Sequence, residues 1–157
     1  MVLRLGLVTG SGSRGLYQRM ERMVRVFPVI PLLGGGKAII QPIHVDDLCS
    51  AVLRCCDEAP ALAQPANTVL RLGDVEGLSL REFLQLMALS RVGHHKLMVP
   101  VPLGPVEFLV KLAEKLHLGL PINSNNLQGL KTVARMETRE DLNRLGLTLR
   151  PISEAIA

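Results

Sequence analysis

The run Gly34-Gly35-Gly36-Lys37-Ala38-Ile39-Ile40-Gln41-Pro42-Ile43-His44-Val45-Asp46-Asp47-Leu48 constrains this chain more than any other. It reads as a glycine turn, an extended apolar stretch and then the start of a helix. Ile39, Ile40, Ile43 and Val45 supply β-branched residues, which favour strand. Pro42 offers no backbone donor, so its strand belongs at a sheet edge or is irregular. Asp46 or Asp47 is suited to accept the free N–H groups of a first helical turn. Leu48, Ala51, Val52 and Cys55 then recur at helical spacing. The chain therefore passes from turn to strand to helix with no long linker, as in an α/β architecture.

Composition narrows the classes. At 157 residues the chain is one domain by size and can bury a core. Its 48% hydrophobic content is incompatible with wholesale disorder. Aromatic residues make up only 3%, so the core must be aliphatic and surfaces for stacking bases or sugars are scarce. The net charge of +4 is spread over scattered arginines and lysines, including Arg14, Arg19, Arg22, Arg25, Lys37, Arg54, Arg71 and Arg81. Such a distribution suits a solvated surface or a local anion site. It lacks the basic stripe with stacking residues that nucleic acid would need. Cys49, Cys55 and Cys56 fall in one helix and make neither a disulfide framework nor a zinc site, so buried free thiols are expected. They fit a cytoplasmic or other reducing intracellular compartment. The N-terminus reads as a strand and not as a secretory signal. No apolar run reaches the ~20 residues of a membrane span; Pro100, Pro102, Pro105, Glu107 and Lys111 interrupt the best one.

Along the chain, Val2 to Thr9 alternates as a strand, apolar at nearly all positions. A loop follows at Gly10-Ser11-Gly12-Ser13-Arg14-Gly15. Tyr17 to Val26 reads as a helix with Met20, Met23 and Val24 on one face. Phe27 to Leu33 is extended, because Pro28 and Pro31 exclude a helix. Asn67 to Leu72 reads as a strand. Ser79-Leu80-Arg81-Glu82 is a capping box, opening a helix with Leu80, Phe83, Leu84 and Met87 on one side. Lys96 to Val101 is a short strand. Leu103 to His117 is an amphipathic helix through Val106, Leu109, Val110, Ala113 and Leu116, and Ser124 to Lys131 is also helical. Thr138 caps a helix ending at Gly146, and a last helix begins after Pro151.

Gly10, Gly12 and Gly15 match G-x-G-x-x-G between a strand and a helix. Alone, that is a dinucleotide fingerprint, with the pyrophosphate at a helix N-terminus. It would be completed by an acid roughly 20 residues on. Ile30 to Lys37 carries none, and its prolines spoil a central parallel strand. The competing reading comes from a family. Leu3-Arg4-Leu5-Gly6-Leu7-Val8-Thr9-Gly10-Ser11-Gly12 is similar to the L-R-P-x-x-V-Y-G-P-G segment of the extended short-chain dehydrogenase/reductases, the NAD(P)-dependent epimerases and dehydratases. It departs at Leu5, Thr9 and Ser11. The strand-His-Val-x-Asp-helix arrangement, Met98-Val99-Pro100-Val101-Pro102, and the tail Thr138 to Leu147 resemble the same family in the same order. The Gly34 to Asp47 stretch resembles its atypical branch, which is like an accessory subunit of respiratory complex I.

What the resemblance implies is the C-terminal half of such an enzyme. The fold class is then α/β, the C-terminal part of a Rossmann-like NAD(P)-binding fold plus a small, mostly helical substrate lobe. Residues 1–72 would carry the end of the sheet with crossover segments, and 73–157 the lobe, within one region 1–157. NAD or NADP would belong to the parent protein, with none held tightly by this chain. The partner would be the missing N-terminal Rossmann half, with self-association of the isolated chain. The family's catalytic tyrosine precedes a lysine by four residues; here Tyr17 is followed at that spacing by Glu21, so Tyr17 is read as a packing or surface residue. No catalytic residue is assigned, and the chain alone is expected to be inactive. Nucleotide-sugar epimerases carry an arginine where Ile40 stands, and an isoleucine cannot bind a phosphate. Lys37 is a candidate replacement. His44 is either a substrate ligand or a buried histidine with a backbone partner at the strand-to-helix turn. Asp46 and Asp47 are read as caps, and His94 and His95 as surface. The Val106 to Leu116 face is core or an apolar substrate wall. The alternatives are a non-catalytic reductase-like scaffold and a small nucleotide-binding domain using the Gly10–Gly15 loop.

Overall fold

The computed structural model describes residues 1–10, 12, 15–57, 69–102, 104 and 135–156. The helices expected over 103–117 and 124–131, and much of the helical lobe with them, lie outside the described residues.

The elements run β1 (Val2–Leu5), β2 (Leu7–Thr9), α1 (Leu16–Val26), β3 (Val29–Leu33), a 3₁₀ turn (Gly34–Gly36), β4 (Ile39–Ile40), β5 (Pro42–His44) and α2 (Val45–Asp57). They continue as β6 (Val69–Leu72), β7 (Leu78–Ser79), α3 (Leu80–Val92), β8 (Leu97–Val101), α4 (Arg139–Arg144) and α5 (Ile152–Ile156). Strands pair in parallel as β1–β6, β2–β5 and β3–β8, with β4–β7 antiparallel. Parallel pairs joined through helices are the α/β pattern the sequence predicts.

The first strand is not continuous. It is expected to run from Val2 to Thr9, but it breaks at Gly6 and changes partner there. The Gly6 amide donates to Leu72 O at 2.8 Å, while the Leu7 amide donates to Gln41 O at 3.0 Å. A Cβ at residue 6 would overlap the Gln41 carbonyl, so only glycine lets these backbones cross. The strand around Pro42 is likewise split, into β4 and β5, with Gln41 between them.

Two apolar clusters form the core. In the first, Tyr17, Met20 and Val24 of α1 meet Phe83, Leu84, Met87 and Ala88 of α3 over Ile30, Leu32 and Met98, with Ile156 closing one side. The opposite face of β3 and β8 leaves Val29, Leu97 and Val99 exposed. In the second, Ile43, Leu70 and Leu72 pack with Ala51 and Cys55 of α2 and with Leu142 and Leu145. Val2 and Leu5 on β1 are exposed.

Some local signals hold and others do not. The capping box forms: the Glu82 amide donates to Ser79 Oγ at 3.2 Å, and the Ser79 amide donates to Glu82 Oε2 at 2.9 Å. Thr138 does not cap with its side chain; its hydroxyl turns to Asp74 O, 3.5 Å away, and its carbonyl accepts the Leu142 amide instead. Of the three cysteines, Cys55 is buried while Cys49 and Cys56 are exposed, correcting the expectation of buried thiols. Helical spacing explains this, since Cys55 lies one turn beyond buried Ala51 while its neighbour Cys56 faces away.

Candidate functional site

Parallel β2 and β5 end together, with Thr9 opposite His44. The Thr9 hydroxyl donates to Ile43 O at 3.3 Å and is fully buried, which locks the two strand ends. Beyond Thr9 the chain turns through Gly10, Gly12 and Gly15, all with positive φ, before α1 begins. In open α/β sheets such carboxyl ends of strands are where ligands collect.

His44 brings the two sequence motifs into contact. A Cβ at Gly10 would stand 2.7 Å from His44 Nε2 and 3.0 Å from Val45 Cγ1, so glycine is required for the imidazole to lie there. On the other side of the ring, Nδ1 accepts the Asp46 amide at 3.2 Å. His44 is thus the residue that caps the first turn of α2. The Asp46 carboxylate also stands 3.4 Å from Nδ1. Nδ1 thus lies between an amide donor and a carboxylate of the same residue.

The expected capping by Asp46 or Asp47 is corrected. Because α2 starts at Val45, both acids already lie within its first turn, where their charge still suits the helix dipole. Asp47 instead receives Arg150: the backbone amide at 3.2 Å, and Nε at 3.2 Å from each carboxylate oxygen. Arg150 Nη1 also reaches Asp46 Oδ2 at 3.4 Å.

The remaining sequence candidates scatter. Lys37 is exposed before β4, and no hydrogen bond or ion pair joins it to Gly10 or His44 among the described residues. The strand after α1, β3, pairs with β8 and not with β2, so Gly10, Gly12 and Gly15 do not open a closed βαβ unit. Tyr17 is 2% exposed, and its hydroxyl donates to Ile156 O at 3.1 Å. It is a packing residue. His94 and His95 are exposed, the latter 3.2 Å from Gln85. Among the described residues no group of three His, Cys, Asp or Glu could hold a metal, and no helix is long and apolar enough to cross a membrane. The Val106 to Leu116 face lies outside the described residues.

Sequence reasoning missed two polar hubs. Gln41 is 5% exposed, and its amide pairs with the Met136 peptide in both directions, Nε2 to O at 2.9 Å and N to Oε1 at 2.7 Å. Arg54 donates to Leu145 O at 2.8 Å and Gly146 O at 2.9 Å. Neither has a local sequence signal, because each partner lies more than 90 residues away.

The fold is Rossmann-like α/β, the class of the NAD(P)-binding proteins it superposes on. The crystal structure of gox2253 matches with a TM-score of 0.68 at 16% identity, over 98% of this chain and 46% of that one. The human epimerase family protein SDR39U1 (isoform 2), solved with NADPH, gives 0.65 at 20% identity over 99% and 46%. The NAD-dependent NDP-hexosamine 5,6-dehydratase TunA gives 0.62 at 14% over 99% and 42%. In sequence, the uncharacterized protein y4nG of Sinorhizobium fredii is 28% identical over 74% of this chain and 28% of its own length. This chain therefore spans less than half of the proteins it resembles. No protein-family model matches it.

Proposed function

We propose that this chain is the C-terminal, substrate-lobe portion of an NAD(P)-dependent epimerase/dehydratase-like oxidoreductase, of the branch that resembles a complex I accessory subunit, and that it is inactive alone. The observation that carries this reading is the match of 99% of the chain to under half of such proteins. Residues 1–72 would end the sheet and 73–157 form the lobe. The carboxyl ends of β2 and β5 would face the ligand, with Gly10, Gly12 and Gly15 beside the cofactor and His44 and Lys37 toward the substrate. Exposed Val2 and Leu5 on β1 fit an edge that the N-terminal half covers, or that self-associates in its absence. A reducing intracellular compartment suits the three free cysteines.

The genomic reading frame upstream of Met1 is the first test. A strand-G-x-x-G-x-x-G-helix and a Tyr-x-x-x-Lys pair are expected there; an in-frame stop with neither overturns the reading. Calorimetry on the isolated chain is the second, with no tight NADH or NADPH binding expected. A dissociation constant in the low micromolar range, about −8 kcal/mol, lost on Gly12→Val, would make the chain a nucleotide-binding domain in its own right.

A further inference from the structure

We infer that the solvent face of α1 is a docking site for an acidic peptide segment of a partner protein, with Arg19 and Arg22 as its anchors. It shares no residue with the β2–β5 strand ends.

A depression of about 440 Å³ runs along this face, lined by Gln18, Arg19, Glu21, Arg22, Arg25 and Val26. The helix turns Tyr17, Met20 and Val24 into the core, and helical spacing sends the lining residues outward. Glu21 is the one acid among them, and it is already shared. Arg25 Nη2 stands 2.9 Å from its carboxylate, and Arg91 Nε, from α3, stands 3.1 Å away. Arg19 and Arg22 are exposed, and their guanidinium groups make no ion pair or hydrogen bond among the described residues. Their i, i+3 spacing makes them neighbours on the helix surface, where like charges repel. An anion lying between them removes that cost.

The charge balance is one-sided. Against one carboxylate the lining carries three guanidiniums, and Arg91 adds another. The segments outside the described residues hold four basic and three acidic side chains, so they bring no excess of acid.

Shape and chemistry choose the occupant. Guanidinium forks match carboxylates in pairs, so two of them one turn apart suit a run of Asp or Glu. Gln18 offers a donor and an acceptor, which fits a peptide group. Val26, 65% exposed, ends the depression, and Phe27 follows it, 52% exposed. An apolar side chain next to the acids therefore has a place to rest. The cations are all arginines, which interfaces between proteins favour over lysine. Arg19 to Val26 covers roughly 10 Å of helix, more than a single inorganic anion spans. A bilayer surface is flat and would leave the depression unfilled.

Fluorescence anisotropy of a labelled oligoglutamate peptide ending in leucine, titrated with the whole chain, is the test. Saturable binding that weakens as salt rises is expected. Amide NMR shifts should fall on Gln18, Arg19, Arg22 and Val26. Arg19→Gln combined with Arg22→Gln should weaken binding about tenfold, as the loss of two exposed ion pairs does. Arg4→Gln combined with Arg139→Gln removes the same charge from β1 and α4 and should leave binding unchanged. All four arginines are exposed, so both variants keep the fold. Equal weakening in the two variants would reduce the effect to net charge and overturn the site. So would the absence of binding, shifts confined to other elements, or a response to phosphatidylglycerol vesicles or inorganic phosphate in place of the peptide.

Discussion

The two core clusters are built on different principles. Around α1, α3, β3 and β8, side chains do the holding: Phe83, Met87, Val24, Ile30 and Leu32 are wholly buried, and the two helices lie against one face of a strand pair. Around α2, β5 and β6 the buried side chains are smaller and fewer, and none is aromatic. There the segment 135–150 is fastened by polar clamps: Gln41 to Met136, Arg71 to Asp141, Arg54 to Leu145 and Gly146, and Asp47 to Arg150. The first cluster is an apolar face folded onto an apolar face. The second is a chain segment returned from a distance and fixed by hydrogen bonds to the corner where the β2–β5 site lies.

The contrast is tested most sharply by removing volume from the first cluster. Phe83→Ala should cost about 4 kcal/mol, the transfer term plus a cavity, with cooperative unfolding retained. Urea denaturation reads it out. A loss below about 1 kcal/mol would mean that this cluster is not the main anchor of α3.

A smaller effect, in a different place, is expected at the clamp. Gln41→Leu removes the partner of both polar groups of the Met136 peptide and one partner of Asp74 O. The cost should be about 2 kcal/mol, because part-buried groups regain some water. Hydrogen exchange should quicken at Met136, Leu142 and Leu145 while the amides of α1 and α3 keep their protection. If α1 and α3 loosen equally, the two clusters are one cooperative unit and the distinction fails.

The same division explains what the sequence reveals. Apolar periodicity and turn residues report on neighbours within a few positions, so α1, α3, β3, β8 and the Ser79 box are legible in it. The break at Gly6 is not, since its cause is the Gln41 carbonyl on another strand. At the candidate site, the sequence marks the Gly10 loop and His44 separately, and only the fold presses one on the other. Asp47 reads as a cap because its long-range partner, Arg150, has no local signature. Hydrogen bonds across more than 90 residues obey no period.

The smallest effect belongs to a local clamp, the capping box of α3, and it also responds to pH. Hydrogen bonds from the Ser79 hydroxyl, first, and the Ser79 amide, second, hold the Glu82 carboxyl below its usual value. The folded state therefore prefers the carboxylate. The contribution is complete above the ordinary glutamate range and disappears as pH falls through the lowered value. Ser79→Ala should cost about 1 kcal/mol at neutral pH. In acid, once the carboxyl is protonated, the box has lost its charged acceptor and the gap between variant and parent should narrow. Denaturation midpoints of both proteins, compared between neutral and acidic buffer, measure that gap. A gap that stays constant would show that Ser79 stabilises α3 through its hydroxyl alone, and that the first cluster owes nothing to a titrating group.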